Sequence, residues 1–116
     1  MDKIFDNRVA LVTGAAGGLG RAVAVMLAQR GADIAMTDRP GTRLDESAKA
    51  VGGTVLALEA ELADGQACSD LVARTLERFG HLDILVNVAG DYTGSPVEDL
   101  SAEIWHAMFD ANLVST

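Results

Sequence analysis

The chain has 116 residues, 49% of them hydrophobic and only two of them proline, so we expect one globular unit over residues 1–116 rather than two domains. Nine basic against seventeen acidic side chains give a formal charge of −8 with no run of Lys or Arg, which argues against a nucleic-acid partner. The single cysteine, Cys68, excludes a disulfide within the chain, and the absence of a long apolar segment predicts a cytoplasmic protein with no membrane partner.

Short apolar runs alternate with amphipathic helical patterns along the whole sequence. This alternation predicts an α/β fold, a doubly wound parallel sheet with helices on both faces. Strands are predicted at residues 8–13, 32–37, 54–59 and 82–87. Helices are predicted at residues 18–30, 42–51, 64–79 and from 101 to the end of the chain, with a loop over 88–100.

Capping residues support these boundaries. Glycines end the first three helices, at Gly31, at Gly52 with Gly53, and at Gly80. Side chains that can accept hydrogen bonds from free backbone N–H groups begin the later three helices, and they are Thr42, with Asp45 three residues on, Asp64 and Ser101. Each helix therefore has its own chemical start or stop signal.

A glycine-rich segment, Thr13 to Gly20, joins the first strand to the first helix. In doubly wound folds a pyrophosphate binds at this position. Gly14 allows a tight turn, Gly18 lets the backbone approach the phosphates, and Gly20 lets the helix pack close to the sheet. Free N–H groups at the helix start would face the anion. The loop could also be a plain strand-to-helix turn, whereas an ATP-type loop is disfavoured because no Gly-Lys-Ser/Thr follows.

A carboxylate, Asp38, stands at the end of the second strand, eighteen residues after Gly20. There it can accept hydrogen bonds from both hydroxyls of an adenosine ribose, and its charge repels a 2′-phosphate, so it favours NAD. The adjoining Arg39 keeps NADP as the less favoured cofactor, because a guanidinium can pair with that phosphate. Asp38 could instead be only a turn residue, an alternative that the sequence leaves open.

Three segments, in this order, resemble motifs of the short-chain dehydrogenase/reductase family. Thr13 to Gly20 resembles its Thr-Gly-x-x-x-Gly-x-Gly cofactor loop, and residues 83–90 resemble its Asn-Asn-Ala-Gly strand end. Trp105 and Asn112 resemble its fourth-helix pattern of Trp, a hydrophobic stretch and Asn. The resemblance implies a Rossmann-type sheet, incomplete at its C-terminal side, from an oxidoreductase that transfers hydride between a nicotinamide cofactor and an alcohol or carbonyl substrate.

The resemblance also implies roles for single residues. Glu61 and Leu62 would lie beside the adenine, and Asn112 would be the asparagine of the catalytic tetrad, distorting its helix to hold a water in the proton relay. As a polar residue on an apolar helix face, Asn112 could also be purely structural. The residues expected to contact or border the cofactor are Thr13, Gly14, Gly18, Leu19, Gly20, Asp38, Glu61, Leu62, Asn87, Ala89 and Gly90.

Several positions depart from the family pattern. Glu61 stands where the family usually has Asp, and Val88 replaces the second Asn of the strand-end motif, so hydrogen bonding there must be rearranged. Gly17 stands where a basic residue often accompanies NADP preference, which again favours NAD.

The family's catalytic Ser and Tyr-x-x-x-Lys have no counterpart in these residues. The only tyrosine, Tyr92, has Pro96 four residues later in place of lysine. We therefore expect a truncated N-terminal part of an oxidoreductase, inactive by itself. The alternative is a non-catalytic module that holds a dinucleotide or packs on a partner chain. The coding DNA beyond codon 116 would separate the two.

Other side chains favour structural interpretations. His81 and His106 have no Cys, His or carboxylate at ligand spacing, so no metal site is expected. Trp105, Met108 and Phe109 have helical spacing and are expected to pack, either within the fold or at a subunit contact. Because later strands are absent, the fourth strand's edge and the apolar side of the last helix need a cover, so we expect a homo-oligomer or further chain.

Overall fold

The computed structural model describes residues 2–91 and 96–116, so Tyr92 lies outside the described residues. The strands are β1 (Val9–Val12), β2 (Asp33–Asp38), β3 (Val55–Glu59) and β4 (Ile84–Val86). The helices are α1 (Gly18–Gln29), α2 (Leu44–Val51), α3 (Gly65–Phe79) and α4 (Ala102–Phe109). A 3₁₀ turn at Val97–Asp99, which the sequence did not predict, precedes α4, and a π-helical turn at Asp110–Val114 follows it. The predicted alternation of strands and helices is confirmed.

The four strands are parallel and lie in the order β3-β2-β1-β4. Leu11 of β1 pairs with Ala35 of β2 on one side and with Leu85 of β4 on the other. The chain therefore builds outward from β1 to β3 and then returns to add β4 on the opposite side of β1. Doubly wound sheets bind ligands at the carboxyl ends of their strands where the strand order reverses in this way. The predicted doubly wound fold is confirmed, and the reversal locates a candidate site between β1 and β4.

An apolar cluster covers each face of the sheet. Ile34 and Met36 of β2 lie in the cluster that α1 and α2 close, together with Leu44. Ala35, the residue between them, lies in a second cluster on the α3 side with Leu11. Strands buried on both faces are apolar along their whole length. This explains why β1 shows no alternation of polar and apolar residues and is buried throughout.

The start of α2 differs from the sequence prediction. The helix begins after Arg43, which makes no side-chain capping hydrogen bond. The hydroxyl of Thr42 instead donates to the carbonyl oxygen of Arg39 at 2.8 Å. The prediction of Thr42 as the N-cap, with Asp45 completing a capping box, was therefore wrong, because the Thr42 hydroxyl is already used in the preceding turn. Asp45 and Glu46 lie in the first helical turn, where their charges interact favourably with the helix dipole.

The caps predicted for α3 and α4 are confirmed. The carboxylate of Asp64 accepts from the N–H of Gln66 at 3.0 Å at the start of α3. The hydroxyl oxygen of Ser101 accepts from the N–H of Ile104 at 3.2 Å at the start of α4. Gly80 ends α3 in the left-handed conformation.

The last helix is shorter than predicted. The prediction of a single α-helix running to the end of the chain was wrong. After Phe109 the backbone widens into the π-helical turn, in which the N–H of Ser115 donates to the carbonyl of Asp110 at 3.0 Å. The side-chain amide of Asn112 donates to the carbonyl of Met108 at 3.0 Å. In an α-helix that carbonyl would accept from the backbone N–H of Asn112, so the side chain competes with regular helix formation.

An apolar surface is uncovered on the β4 side of the fold. β4 is an edge of the described sheet, and Leu85 within it is 55% exposed. On α4, Trp105 and Phe109 stack with ring centroids 5.3 Å apart and both remain largely exposed. The sequence prediction that these surfaces lack a cover within the chain agrees with this exposure. Within residues 2–91 and 96–116, no helix combines the length and apolar character needed to cross a membrane.

Candidate functional site

The glycine loop leaves the carboxyl end of β1, beside the reversal of strand order. Gly14 has φ of +61°, and a Cβ there would lie 2.8 Å from the backbone nitrogen of Ala89. A Cβ at Gly20 would lie 2.8 Å from the carbonyl carbon of Gly14 and would overlap its oxygen. Side chains are therefore excluded at both positions, as the roles predicted for the two glycines require.

Gly18 differs from the other two glycines, because a Cβ built on it meets no atom within 4 Å. No contact with residues 2–91 or 96–116 explains the glycine. The residue begins α1, whose N-cap Gly17 makes no side-chain capping bond and whose first turn has no acidic residue. Gly17, Gly18 and Leu19 are exposed. The positive end of the helix dipole is thus open to solvent, and a ligand can approach it closely, as a phosphate site needs.

The carboxylate of Asp38 lies against this loop. Its Oδ2 accepts from the N–H of Ala16 at 2.9 Å, and its Oδ1 accepts from the N–H of Arg39 at 2.7 Å. The N–H of Ala15 donates to the carbonyl of Thr37, the residue before Asp38, at 3.1 Å. Each carboxylate oxygen can accept a second hydrogen bond. The predicted carboxylate and the predicted loop are therefore adjacent, and the contact with Ala16 was not foreseen from the sequence.

The hydroxyl of Thr13 connects the loop to the segment after β4. Thr13 is buried, and its oxygen accepts from the N–H groups of Val88 at 3.0 Å and Ala89 at 3.1 Å. It lies 3.5 Å from the carbonyl oxygen of Val86, to which it donates. Around Val88, backbone N–H groups therefore donate to the Thr13 side chain, and the Val88 side chain packs against the core.

Asn112 lies at the same edge, against the loop that follows β4. Its Oδ1 accepts from the N–H of Asp91 at 3.0 Å, and its Nδ2 donates to the carbonyl of Asp91 at 2.7 Å. A Cβ on Gly90 would lie 2.8 Å from the same Oδ1, so a side chain there would displace the Asn112 amide. The distortion of the helix that the resemblance implied is present as the π-helical turn around Asn112. Such turns are frequent at functional sites.

A family model described as short chain dehydrogenase matches residues 8–116. The chain belongs to this family. It is 40% identical over 113 residues to the 2,3-dihydro-2,3-dihydroxybenzoate dehydrogenase of Bacillus subtilis, covering 95% of this chain and 43% of that protein. It is 34% identical over 115 residues to the L-rhamnose 1-dehydrogenase (NAD(P)(+)) of a Sphingomonas species, covering 96% and 45%.

Solved structures of the short chain dehydrogenase family share the fold. One of them is the short-chain dehydrogenase/reductase of Brucella melitensis, which is described as a glucose/ribitol dehydrogenase. It superposes with a TM-score of 0.92 at 34% identity, over 99% of this chain and 50% of that one. The chain spans about half the length of the curated relatives it matches.

Glu61 and Leu62, which the family resemblance assigned to the adenine site, differ from each other in burial. Glu61 is exposed, whereas the Leu62 side chain is 9% exposed and packs in the core on the α3 side. The thiol of Cys68 donates to the Leu62 carbonyl at 3.2 Å, which supports the structural interpretation of the cysteine. The N–H of Ala60 donates to the carbonyl of Asp38 at 2.9 Å, so this segment begins beside Asp38. The side chain of Leu62 is therefore not available to a ligand.

One expectation about the histidines was wrong. The Nε2 of His81 lies 3.2 Å from the Asp83 carboxylate and 3.0 Å from the Asn7 carbonyl oxygen, so a carboxylate does neighbour it. Asp83 also accepts from the N–H of Val9 at 2.8 Å, which places the pair at the amino ends of the strands, away from the glycine loop. In residues 2–91 and 96–116, no group of three or more His, Cys, Asp or Glu side chains could hold a metal ion.

A buried hydroxyl next to the glycine loop, that of Ser47, belongs to none of the family motifs. Ser47 of α2 is 1% exposed, and its Oγ lies 3.4 Å from the carbonyl oxygen of Ala16, to which it donates. The only signal in the sequence was a serine on the buried side of an amphipathic helix. That pattern alone does not say which carbonyl the hydroxyl reaches, because Ala16 is 31 residues away in the chain.

Proposed function

We propose that this chain forms the cofactor-binding, N-terminal part of an NAD-dependent short chain dehydrogenase. The complete enzyme would transfer hydride between the nicotinamide and an alcohol or carbonyl group of a small molecule. The observation that carries the proposal is the placement of an uncapped glycine loop and the Asp38 carboxylate side by side, at the carboxyl edge of the sheet where strand order reverses. The names of two relatives, which indicate hydroxylated small molecules, agree with this substrate class.

The loop has the features that a diphosphate requires. The first N–H groups of an α-helix have no partner within the helix, and at α1 these belong to exposed residues that include Gly18 and Leu19. The open space at Gly18 lets phosphate oxygens reach the backbone. A net charge of −8 does not oppose this kind of site, because the backbone and the helix dipole supply the positive potential.

Asp38 supports NAD over NADP in this proposal. Each of its carboxylate oxygens already accepts one backbone hydrogen bond and retains capacity for a ribose hydroxyl. A 2′-phosphate in the same place would meet the negative charge. Arg39 is the feature that would allow NADP, and the name of the L-rhamnose dehydrogenase includes both cofactors.

The remaining assigned residues surround the same edge. Glu61 and the backbone of Leu62 would border the adenine, next to Asp38. Asn87, Ala89 and Gly90 follow β4 and would border the other half of the dinucleotide. Ala89 is held in place by its hydrogen bond to Thr13.

Asn112 is proposed to act in proton transfer by holding the loop after β4 and a relay water. When bound, NAD supplies the carbon that exchanges hydride with substrate. This chain has no counterpart of the family's Ser or Tyr-x-x-x-Lys, so it has no group to move the substrate proton. We further propose a cytoplasmic setting and a homo-oligomer in which the exposed aromatic side of α4 is covered.

Replacement of Asp38 by Asn tests the proposal. The wild-type chain should bind NAD in isothermal titration calorimetry, and Asp38→Asn should bind it on the order of tenfold more weakly, because a charged acceptor of ribose hydroxyls is lost. Discrimination against NADP should fall at the same time, since the repelling charge is gone.

Asp33→Asn is the matched control. Asp33 begins β2, at the opposite edge of the sheet from Asp38, and its replacement changes the net charge by the same amount. NAD affinity should stay within twofold of wild type in this variant. A folded wild-type chain that gives no heat with NAD, or equal affinities for wild type and Asp38→Asn, would refute the proposal.

A further inference from the structure

Ser47 is a buried polar side chain to which neither the family motifs nor the proposed function gives a role. It is 1% exposed in the middle of α2, on the side of that helix that faces the sheet with Leu44. Its Oγ donates to the carbonyl of Ala16. Ala16 immediately precedes the exposed residues Gly17 and Gly18 at the start of α1.

The peptide groups of Ala16 are held on two sides. The N–H of Ala16 donates to Asp38 at 2.9 Å, and its carbonyl accepts from Ser47 at 3.4 Å. One residue earlier, the N–H of Ala15 donates to the carbonyl of Thr37 at 3.1 Å. The loop is thereby attached to the end of β2 and to α2 at the point where it turns toward the first free N–H groups of α1.

The hydroxyl of Ser47 is not needed to fold α2. Alanine has a higher helix propensity than serine and differs here by one buried polar atom. The Ser47–Ala16 hydrogen bond is long, at 3.4 Å, and Ala16 is only partly buried, so we expect its loss to cost little stability. Stability alone therefore does not account for a serine at this position.

We propose that Ser47 is a positioning residue for the cofactor diphosphate. By fixing the Ala16 carbonyl while Asp38 fixes the Ala16 N–H, it sets the distance between the ribose-binding carboxylate and the phosphate-binding N–H groups of α1. The two halves of an ADP group must be held at once, so an error in this distance weakens both sets of contacts. This inference rests on the proposed function.

Ser47→Ala tests the inference through two readouts that separate positioning from folding. The variant should bind NAD and ADP about three- to tenfold more weakly in calorimetry, the range that one neutral hydrogen bond of about 1 kcal/mol gives. NAD and ADP should lose the same factor, because both carry the diphosphate. The melting temperature of the ligand-free variant should equal or exceed that of wild type.

Thr75→Val is the matched control. Thr75 is a fully buried helical residue whose hydroxyl donates to Leu71 within α3 at 2.8 Å, and valine removes that hydroxyl at nearly constant volume. Its NAD affinity should stay within twofold of wild type.

The outcomes separate the two proposals. Unchanged affinity in Ser47→Ala, with a wild type that binds NAD, overturns the role of Ser47 and leaves the proposed function intact. A wild type that does not bind NAD overturns the proposed function and the inference with it. A melting temperature several degrees below wild type in Ser47→Ala assigns the hydroxyl to stability and also overturns the inference.

Discussion

Gly18 and Gly20 are two positions apart in one loop, yet their surroundings differ. Gly20 is buried against the backbone of Gly14, where a Cβ would overlap a carbonyl oxygen. Gly18 is exposed and a Cβ there meets nothing. Glycine at position 20 is therefore required by packing. Glycine at position 18 is not required by packing against the described residues, and the proposed cofactor site gives it a role.

The pair gives a prediction that separates stability from binding. Gly20→Ala should lower the free energy of unfolding by about 1–3 kcal/mol, because backbone atoms must move to admit the methyl group. Gly18→Ala should leave it unchanged or raise it by up to about 1 kcal/mol, since alanine is the better helix residue. Urea unfolding measures both effects. In calorimetry, Gly18→Ala should nevertheless bind NAD more weakly, and unaltered NAD binding would show that no ligand approaches this residue.

Between elements, the hydroxyl of Thr13 joins the glycine loop to the segment that follows β4. One oxygen accepts from two backbone N–H groups, those of Val88 and Ala89. Neither N–H belongs to the regular ladder of a strand, since β4 ends at Val86. The Thr13 hydroxyl therefore helps to fix residues 88 and 89 relative to the glycine loop, together with the hydrogen bond from the Thr13 N–H to the Val86 carbonyl at 3.0 Å. Asn112 holds the next turn of the same segment through Asp91.

Thr13→Val should therefore disturb both stability and binding. Two partly buried N–H groups lose their acceptor, which should cost about 1–3 kcal/mol in the free energy of unfolding. NAD affinity should fall as well, because Ala89 is expected to border the cofactor. Thr13→Ser keeps the hydroxyl and should retain most of both properties. If chemical denaturation and calorimetry gave the same values for valine as for serine, the hydroxyl would not be the connecting group.

At the scale of the whole molecule, the described sheet has β1 at its centre and β4 at its edge. The site lies between these strands, so one wall of it is close to the uncovered side of the fold. The exposed Leu85 and Trp105 lie on that side. A chain that spans about half the length of its relatives thus contains the glycine loop and Asp38, while the surface beyond β4 remains open.

The same arrangement predicts that the 116-residue chain binds cofactor without turning it over. Purified to homogeneity and given NAD with a panel of small alcohols, it should show no formation of NADH above the rate without protein, because residues 1–116 contain no match to the Tyr-x-x-x-Lys motif that the proposed function requires for the substrate proton. Absorbance at the NADH band measures this. Reproducible turnover by the pure chain, lost on replacement of Asn112, would contradict it.

The sequence by itself determined the fold class and indicated the main parts of the candidate site. Mainly apolar strands alternating with amphipathic helices predict a parallel sheet covered on both faces, and β1 is buried along its whole length as that arrangement requires. The glycines of the loop and the carboxylate at the end of β2 follow from local chemistry, which depends only on near neighbours in the chain. The caps at Asp64, Gly80 and Ser101 were predictable for the same reason.

Only the tertiary structure decided how side chains distant in sequence meet. The Ser47 and Asp38 contacts with Ala16 join positions 31 and 22 residues apart, and the link from Thr13 to Ala89 spans 76. Two local contacts were also decided only in the folded chain. The Thr42 hydroxyl donates to the Arg39 carbonyl three residues away and does not cap α2, and the Asn112 amide donates to the Met108 carbonyl four residues away in the π-helical turn. Local propensity describes what a segment can do by itself. Competition for a hydrogen-bond partner is settled by which groups the completed fold brings within reach.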